Sequence, residues 1–128
     1  MRKQIIESAE APKPIGPYSQ AVRLGEFVFL SGQVGLDPKT GELVGGGVAG
    51  ETRRAMENLG GVLRAAGAGF SEVVRVTIYL TNLADFAQVN EIYGSYFAAE
   101  PPARATVQVA ALPRGAAVEI DMIAWIGA

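Results

Sequence analysis

The apolar residues of this chain change their period at Ala49, and that change limits the fold more than any other feature. Before it, "AVRLGEFVFLSGQVG" reads as two alternating strands that meet at a turn on Gly25-Glu26, with "RKQIIES" as a short strand ahead of them. After it, Met56, Leu59, Leu63 and Ala66 recur at helical spacing, Val62 widens the stripe, and Gly67 is placed to end the helix. Alternation returns in "EVVRVTIYLTN" and then yields to a second helical stripe, Phe86, Val89, Tyr93 and Phe97. Asp85 in the first turn of that helix favours its dipole, and Pro101-Pro102 stop it. Two more strands follow, "RATVQVAAL" and "AAVEIDMIAWI", joined through Leu112-Pro113-Arg114-Gly115, where proline and glycine suit a type I turn. The expected order is β-β-β-α-β-α-β-β over residues 1–128 as one domain, an α+β fold with both helices on one face of a sheet. Gly60 and Gly61 weaken the first helix by up to about 1 kcal/mol each unless another element comes close there.

Two helices cover only one face. In the last strand Val118, Ile120, Met122, Ala124 and Ile126 point one way, under the helices, while Glu119, Asp121, Ile123 and Trp125 point the other. The preceding strand is expected to repeat the pattern, with Arg104, Thr106 and Gln108 opposed to Ala105, Val107 and Val109, and Arg104 turned toward the uncovered face. A face that mixes acids with isoleucine and tryptophan suits contact with another subunit better than water, its polar groups lying in a cleft or bonded across the contact.

The chain holds no cysteine and no histidine. Thiol nucleophiles, imidazole bases, disulfides and almost every zinc or haem site are thereby excluded. Carboxylates, arginine, hydroxyls, amides, backbone groups and water remain. The net charge is −2 with no basic run, so the footprint of a nucleic-acid binder is missing. No stretch is apolar for long enough to span a bilayer, and "MRKQIIESAEAPKP" lacks the apolar region of a signal peptide, so a soluble, cytoplasmic protein is expected. The Gly45-Gly46-Gly47 tract is a turn and not a phosphate loop, because no lysine-serine or lysine-threonine pair follows it.

Among the residue types left, Arg104 reads equally as a strand-end charge paired with a surface acid or as a clamp for a ligand carboxylate, whose two oxygens match its planar fork. Glu119, in the middle of an apolar strand, is either outward-facing, a structural ion-pair partner, or a carboxyl desolvated at a subunit boundary, where a raised pKa suits proton exchange. Asp121, facing the same way, is its understudy. Tyr18, Ser31 and Asn90 each stand between structure and site: a loop aromatic, a strand-edge hydroxyl and a helix–loop amide.

Four segments in order, "IGPYSQAV", "FLSGQVGLDPKTGEL", "DFAQVNEIYGSYF" and "PPARATVQVAALPRGAAVEIDMIA", resemble the RidA/YjgF family of reactive-intermediate (imine) deaminases across nearly the whole chain. The resemblance implies a chorismate-mutase-like fold and a homotrimer with a central barrel-like core and clefts between subunits. It implies hydrolysis of small 2-imino acids, such as 2-aminoacrylate/2-iminopropanoate and 2-iminobutanoate, to 2-keto acids and ammonia, with no cofactor and no metal. It also implies that Arg104 holds the substrate carboxylate and Glu119 handles protons for the attacking water. Tyr18 would close the cleft and bond the imine nitrogen or water, and Ser31, Asn90 and Thr106 would line it. Many relatives carry cysteine where this chain has Thr106; imine hydrolysis needs no covalent intermediate, so the change is expected to alter pocket shape or oxidant sensitivity. Two rivals stand beside this: a non-catalytic module binding small carboxylates or a protein, and an endoribonuclease or translation inhibitor.

Overall fold

A computed structural model describes residues 2–127. The element order is β1 (Gln4–Ile6), β2 (Ala21–Leu24), β3 (Phe27–Gln33), α1 (Gly47–Ala65), β4 (Val73–Leu80), α2 (Phe86–Gly94), β5 (Ala103–Gln108) and β6 (Val118–Trp125), the order expected from the period changes. The six strands form one sheet in the order β1-β2-β3-β6-β4-β5. All neighbours are antiparallel except β4 and β5, whose parallel pairing requires the crossover that α2 supplies. Gly25, at φ 61, makes the turn between β2 and β3 where the sequence placed it.

Lateral pairing puts Val28, Leu30, Val76, Ile78, Leu80, Val118, Ile120, Met122 and Ala124 on one face, and all are buried. Against them α1 packs Ala55, Met56, Leu59, Val62 and Leu63, each fully enclosed. Burying a leucine or isoleucine side chain contributes roughly 1.5–3 kcal/mol, so this layer helps hold the two halves of the chain together beside the β3–β6 pairing. Helix α1 ends as its sequence predicts. Gly67 (φ 78) lies just past Ala66, and the Ala68 and Gly67 amides donate to Leu63 and Arg64 carbonyls at 2.8 and 3.0 Å, a Schellman motif. Gly61 is required by a close approach: a Cβ there would lie 2.7 Å from that of Glu10.

Three expectations are corrected. Helix α2 ends at Gly94 and not at the prolines: Ser95 Oγ donates to the Ile92 carbonyl at 2.6 Å, and the Tyr96 and Phe97 amides donate three residues back. These tight turns bring Tyr96 and Phe97 onto Phe70, with ring centroids 5.2 and 5.7 Å away. Next, Pro113–Gly115 forms a 3-10 turn with Arg114 in the left-handed region (φ 63, ψ 18), a backbone that a type I turn does not contain. The third concerns β5. Its register pairs Arg104 with Val76 and Thr106 with Ile78, so Arg104, Thr106 and Gln108 lie on the helix-covered side. Ala105 and Val107 pair with Thr77 and Tyr79 and lie on the open side instead. An edge strand has one neighbour, and the register of β4 decided what the alternation of small and polar residues left ambiguous.

Candidate functional site

The candidate residues fall into two clusters on opposite faces of the sheet. The first surrounds Arg104, which enters β5 one residue after Pro102-Ala103 and lies half-buried beneath α2. Phe86, Asn90 and Tyr93 are spaced i, i+4 and i+7 on that helix and so descend on the same strand. Arg104 Nη1 donates to Asn90 Oδ1 at 2.6 Å, and its Cζ lies 5.0 Å from the Tyr93 ring centroid and 5.4 Å from that of Phe86. Among the described residues no acid lies within ion-pairing distance of Arg104, and the ion pair found is Arg64 with Glu10 on the surface. The described residues thus offer no surface acid for Arg104 to pair with as a strand-end charge. Thr106, two residues along the same face, keeps its Oγ1 buried without a partner, and so does the Tyr93 hydroxyl.

The second cluster sits on the open face. Glu119 of β6 and Tyr18 of the loop before β2 line a cavity of about 330 Å³ together with Ile15, Gly32, Val34, Leu36, Pro113 and Arg114. Tyr18 is half exposed and takes only a long 3.4 Å contact from the Ile15 amide, so its hydroxyl is free to bond a ligand. The loop that carries it is held by Gln20, buried, whose Oε1 accepts from the Ser8 amide at 2.6 Å and whose Nε2 donates to the Pro12 carbonyl at 2.8 Å. Ser31 belongs to the same support: its Oγ donates to the Ser19 carbonyl at 2.6 Å and its amide to the Gln20 carbonyl at 2.9 Å. Ser31 thus holds the Tyr18 loop with its hydroxyl already engaged.

Glu119 is positioned from two sides. Its strand is anchored by Glu51 of α1, a buried acid whose Oε1 accepts from the Ala117 amide at 2.7 Å. Its carboxyl lies across Gly32, where an added Cβ would fall 2.3 Å from Oε2; only glycine leaves room. Gly32 falls where the β3–β6 register shifts. Burial pushes the Glu119 carboxyl above its ordinary pKa, and the nearby Asp121 charge adds to the shift. Asp121 itself accepts from the Tyr79 hydroxyl at 3.0 Å, which occupies it as a structural partner.

Sequence reasoning named Arg104, Asn90, Thr106, Tyr18, Glu119 and Ser31; the structure groups the first three together and the next two together, and leaves Ser31 as support for the Tyr18 loop and not in the cavity lining. It missed Gly32 and Arg114, and it read Phe86 and Tyr93 as core only. The i, i+4, i+7 spacing of Phe86, Asn90 and Tyr93 was the available signal. Among the described residues no helix is long and apolar enough to cross a membrane, and no group of three or more acidic, histidine or cysteine side chains is placed to hold a metal ion.

A family model described as "Endoribonuclease L-PSP" matches residues 8–126. The chain is similar to "Protein DfrA" of Myxococcus xanthus, with 61% identity over 126 residues that cover 97% of this chain and 96% of that one. It is similar to the 2-iminobutanoate/2-iminopropanoate deaminase of Mus musculus, with 53% identity over 125 residues covering 98% and 93%. Its fold matches the crystal structure of E. coli TdcF with bound serine at a TM-score of 0.93 and 41% identity, covering 97% of this chain and 99% of that one.

Proposed function

The chain belongs to the endoribonuclease L-PSP family, the YjgF/RidA family, and from that premise we propose that it hydrolyses small 2-imino acids to 2-keto acids and ammonia without a cofactor. The observation that carries this reading is the guanidinium without an ion pair: Arg104 is half-buried, fixed at Nη1 by Asn90, and has no acid beside it among the described residues. A site of that kind suits a planar carboxylate, which takes two parallel hydrogen bonds from the free edge of the fork. The serine held by TdcF also carries an α-carboxylate.

The substrate presents its electrophilic C=N carbon beside that carboxylate. One water adds its oxygen to the carbon and gives up a proton, while the imine nitrogen gains one. The resulting carbinolamine loses ammonia as its C–N bond breaks and its hydroxyl proton leaves, giving the 2-keto acid. Glu119, with a raised pKa, is suited to deliver and retrieve these protons near neutral pH, and Tyr18 to orient the nitrogen or the water. Thr106 lines the Arg104 side of the site, and no thiol is required at any step.

Arg104 and Glu119 occupy opposite faces of one sheet, so the proposed site is shared between two copies of the chain, Arg104 and Asn90 from one and Tyr18 and Glu119 from its neighbour. The open face supports this: Phe27, Phe29 and Trp125, neighbours across β3 and β6, are exposed by 44%, 44% and 40%, apolar surface that a second copy would cover. A closed ring, the homotrimer of the family resemblance, satisfies both requirements.

The test is release of keto acid from a threonine or serine dehydratase with the protein added. Acceleration that Arg104→Ala lowers by about 100-fold or more supports the reading. No acceleration by the wild-type protein overturns it, and binding of 2-oxobutanoate without turnover would leave a carboxylate-binding module instead. Cleavage of RNA by nuclease-free preparations, measured in parallel, would favour the activity in the family's description.

A further inference from the structure

We propose that Phe86 and Tyr93 act as positioning residues that hold the Arg104 guanidinium with their rings, so that the edge left free by Asn90 meets the substrate carboxylate without reorganising. The proposal rests on the deaminase reading for its kinetic consequences, and on the geometry alone for the socket itself.

An arginine side chain has four rotatable bonds before its guanidinium, and freezing them on binding weakens a clamp unless the fold has frozen them first. Here three contacts from one helix do so. Phe86 and Tyr93 place ring faces 5.4 and 5.0 Å from Cζ, within the range at which the ring quadrupole attracts a cation. Asn90, between them on the same stripe, takes Nη1 at 2.6 Å. Both rings lie against the guanidinium carbon, the amide takes one corner, and the donors that remain are available to a carboxylate.

Tyr93 is the more informative of the pair. It is 4% exposed, yet its hydroxyl has no hydrogen-bond partner, and burial keeps that hydroxyl protonated by raising its pKa. A buried, unbonded hydroxyl destabilises the fold relative to phenylalanine at the same place. The ring, itself packed 4.9 Å from the Phe97 ring, performs the positioning.

The experiment compares Tyr93→Phe, Tyr93→Leu and Phe86→Leu. Phe86 is 38% exposed, so its leucine variant folds even where loss of the buried Tyr93 ring does not. Two readouts are taken: the NMR signals of the Arg104 side chain, shifted by the ring currents, and the KM and kcat for 2-iminobutanoate generated by threonine dehydratase. Tyr93→Phe is expected to keep the Arg104 signals and hold KM within about twofold, since it keeps the ring. Phe86→Leu and Tyr93→Leu are expected to move the signals toward those of a free arginine and raise KM about fivefold to tenfold, with kcat within about threefold. Unchanged Arg104 signals in Phe86→Leu overturn the socket. Changed signals with an unchanged KM in an active enzyme overturn its role in binding. If the wild-type protein proves inactive, the deaminase reading fails by itself, and the affinity for 2-oxobutanoate replaces KM in the same comparison with the same outcomes.

Discussion

Glu119 is the residue whose environment makes the sharpest demand. Its carboxyl pKa is raised, by burial first and by Asp121 second, from an ordinary value of 4.5. Between that value and the raised one the folded protein binds more protons than the unfolded chain, so stability falls as pH rises through this window. Above the window an ionised Glu119 opposes folding. Glu119→Gln is therefore expected to raise the melting temperature at about pH 8 and to lose that advantage below about pH 4, while activity falls by about 100-fold or more. Thermal unfolding across pH, beside the dehydratase-coupled assay, checks both. Thr106 makes the opposite kind of prediction. Its hydroxyl is buried and unbonded, so Thr106→Val is expected to leave stability unchanged or raise it by about 1 kcal/mol, read from denaturant midpoints. Its consequence for activity separates a polar role in the cleft from mere filling of space.

At the scale of elements, the changes of hydrophobic period were legible because a core face must recur every second or every third to fourth residue, and they returned every strand and helix in order. The facing of β5 was not. Ala103, Ala105 and Val107 offer no stronger core face than Arg104, Thr106 and Gln108, and pairing with Val76 and Ile78 decided the matter from outside the segment. The end of α2 was hidden in a similar way. Pro101-Pro102 forbid helix, but the helix has already ended at Gly94, where the chain turns Tyr96 and Phe97 onto Phe70. The site was half legible: its residue types and spacing could be read, whereas the room Gly32 leaves for Glu119 exists only where two strands meet. Gly32→Ala is expected to displace the carboxyl and lower activity by about tenfold or more, with kcat falling rather than KM rising. Arg114 adopts a left-handed backbone at a cost that glycine avoids, so Arg114→Gly is expected to stabilise the fold by about 1 kcal/mol in denaturant melts.

For the whole molecule, the central consequence of the fold is that one chain cannot complete the proposed site. The sheet carries Arg104 under the helices and Glu119 on the open face, and the apolar open face calls for a partner. Placing an aspartate at Trp125 or Phe29 is expected to shift the mass in solution from a multiple of 13.4 kDa toward the single chain, with activity lost in parallel. The most direct measurement mixes two inactive variants, Arg104→Ala and Glu119→Gln, by co-refolding or co-expression, and assays the product. A site drawing Arg104 from one copy and Glu119 from the next regains both wild-type residues in about a quarter of randomly assembled sites. The account predicts recovery of about that fraction of wild-type deaminase activity. Activity no higher than that of either variant alone, in oligomers shown to contain both, would contradict it.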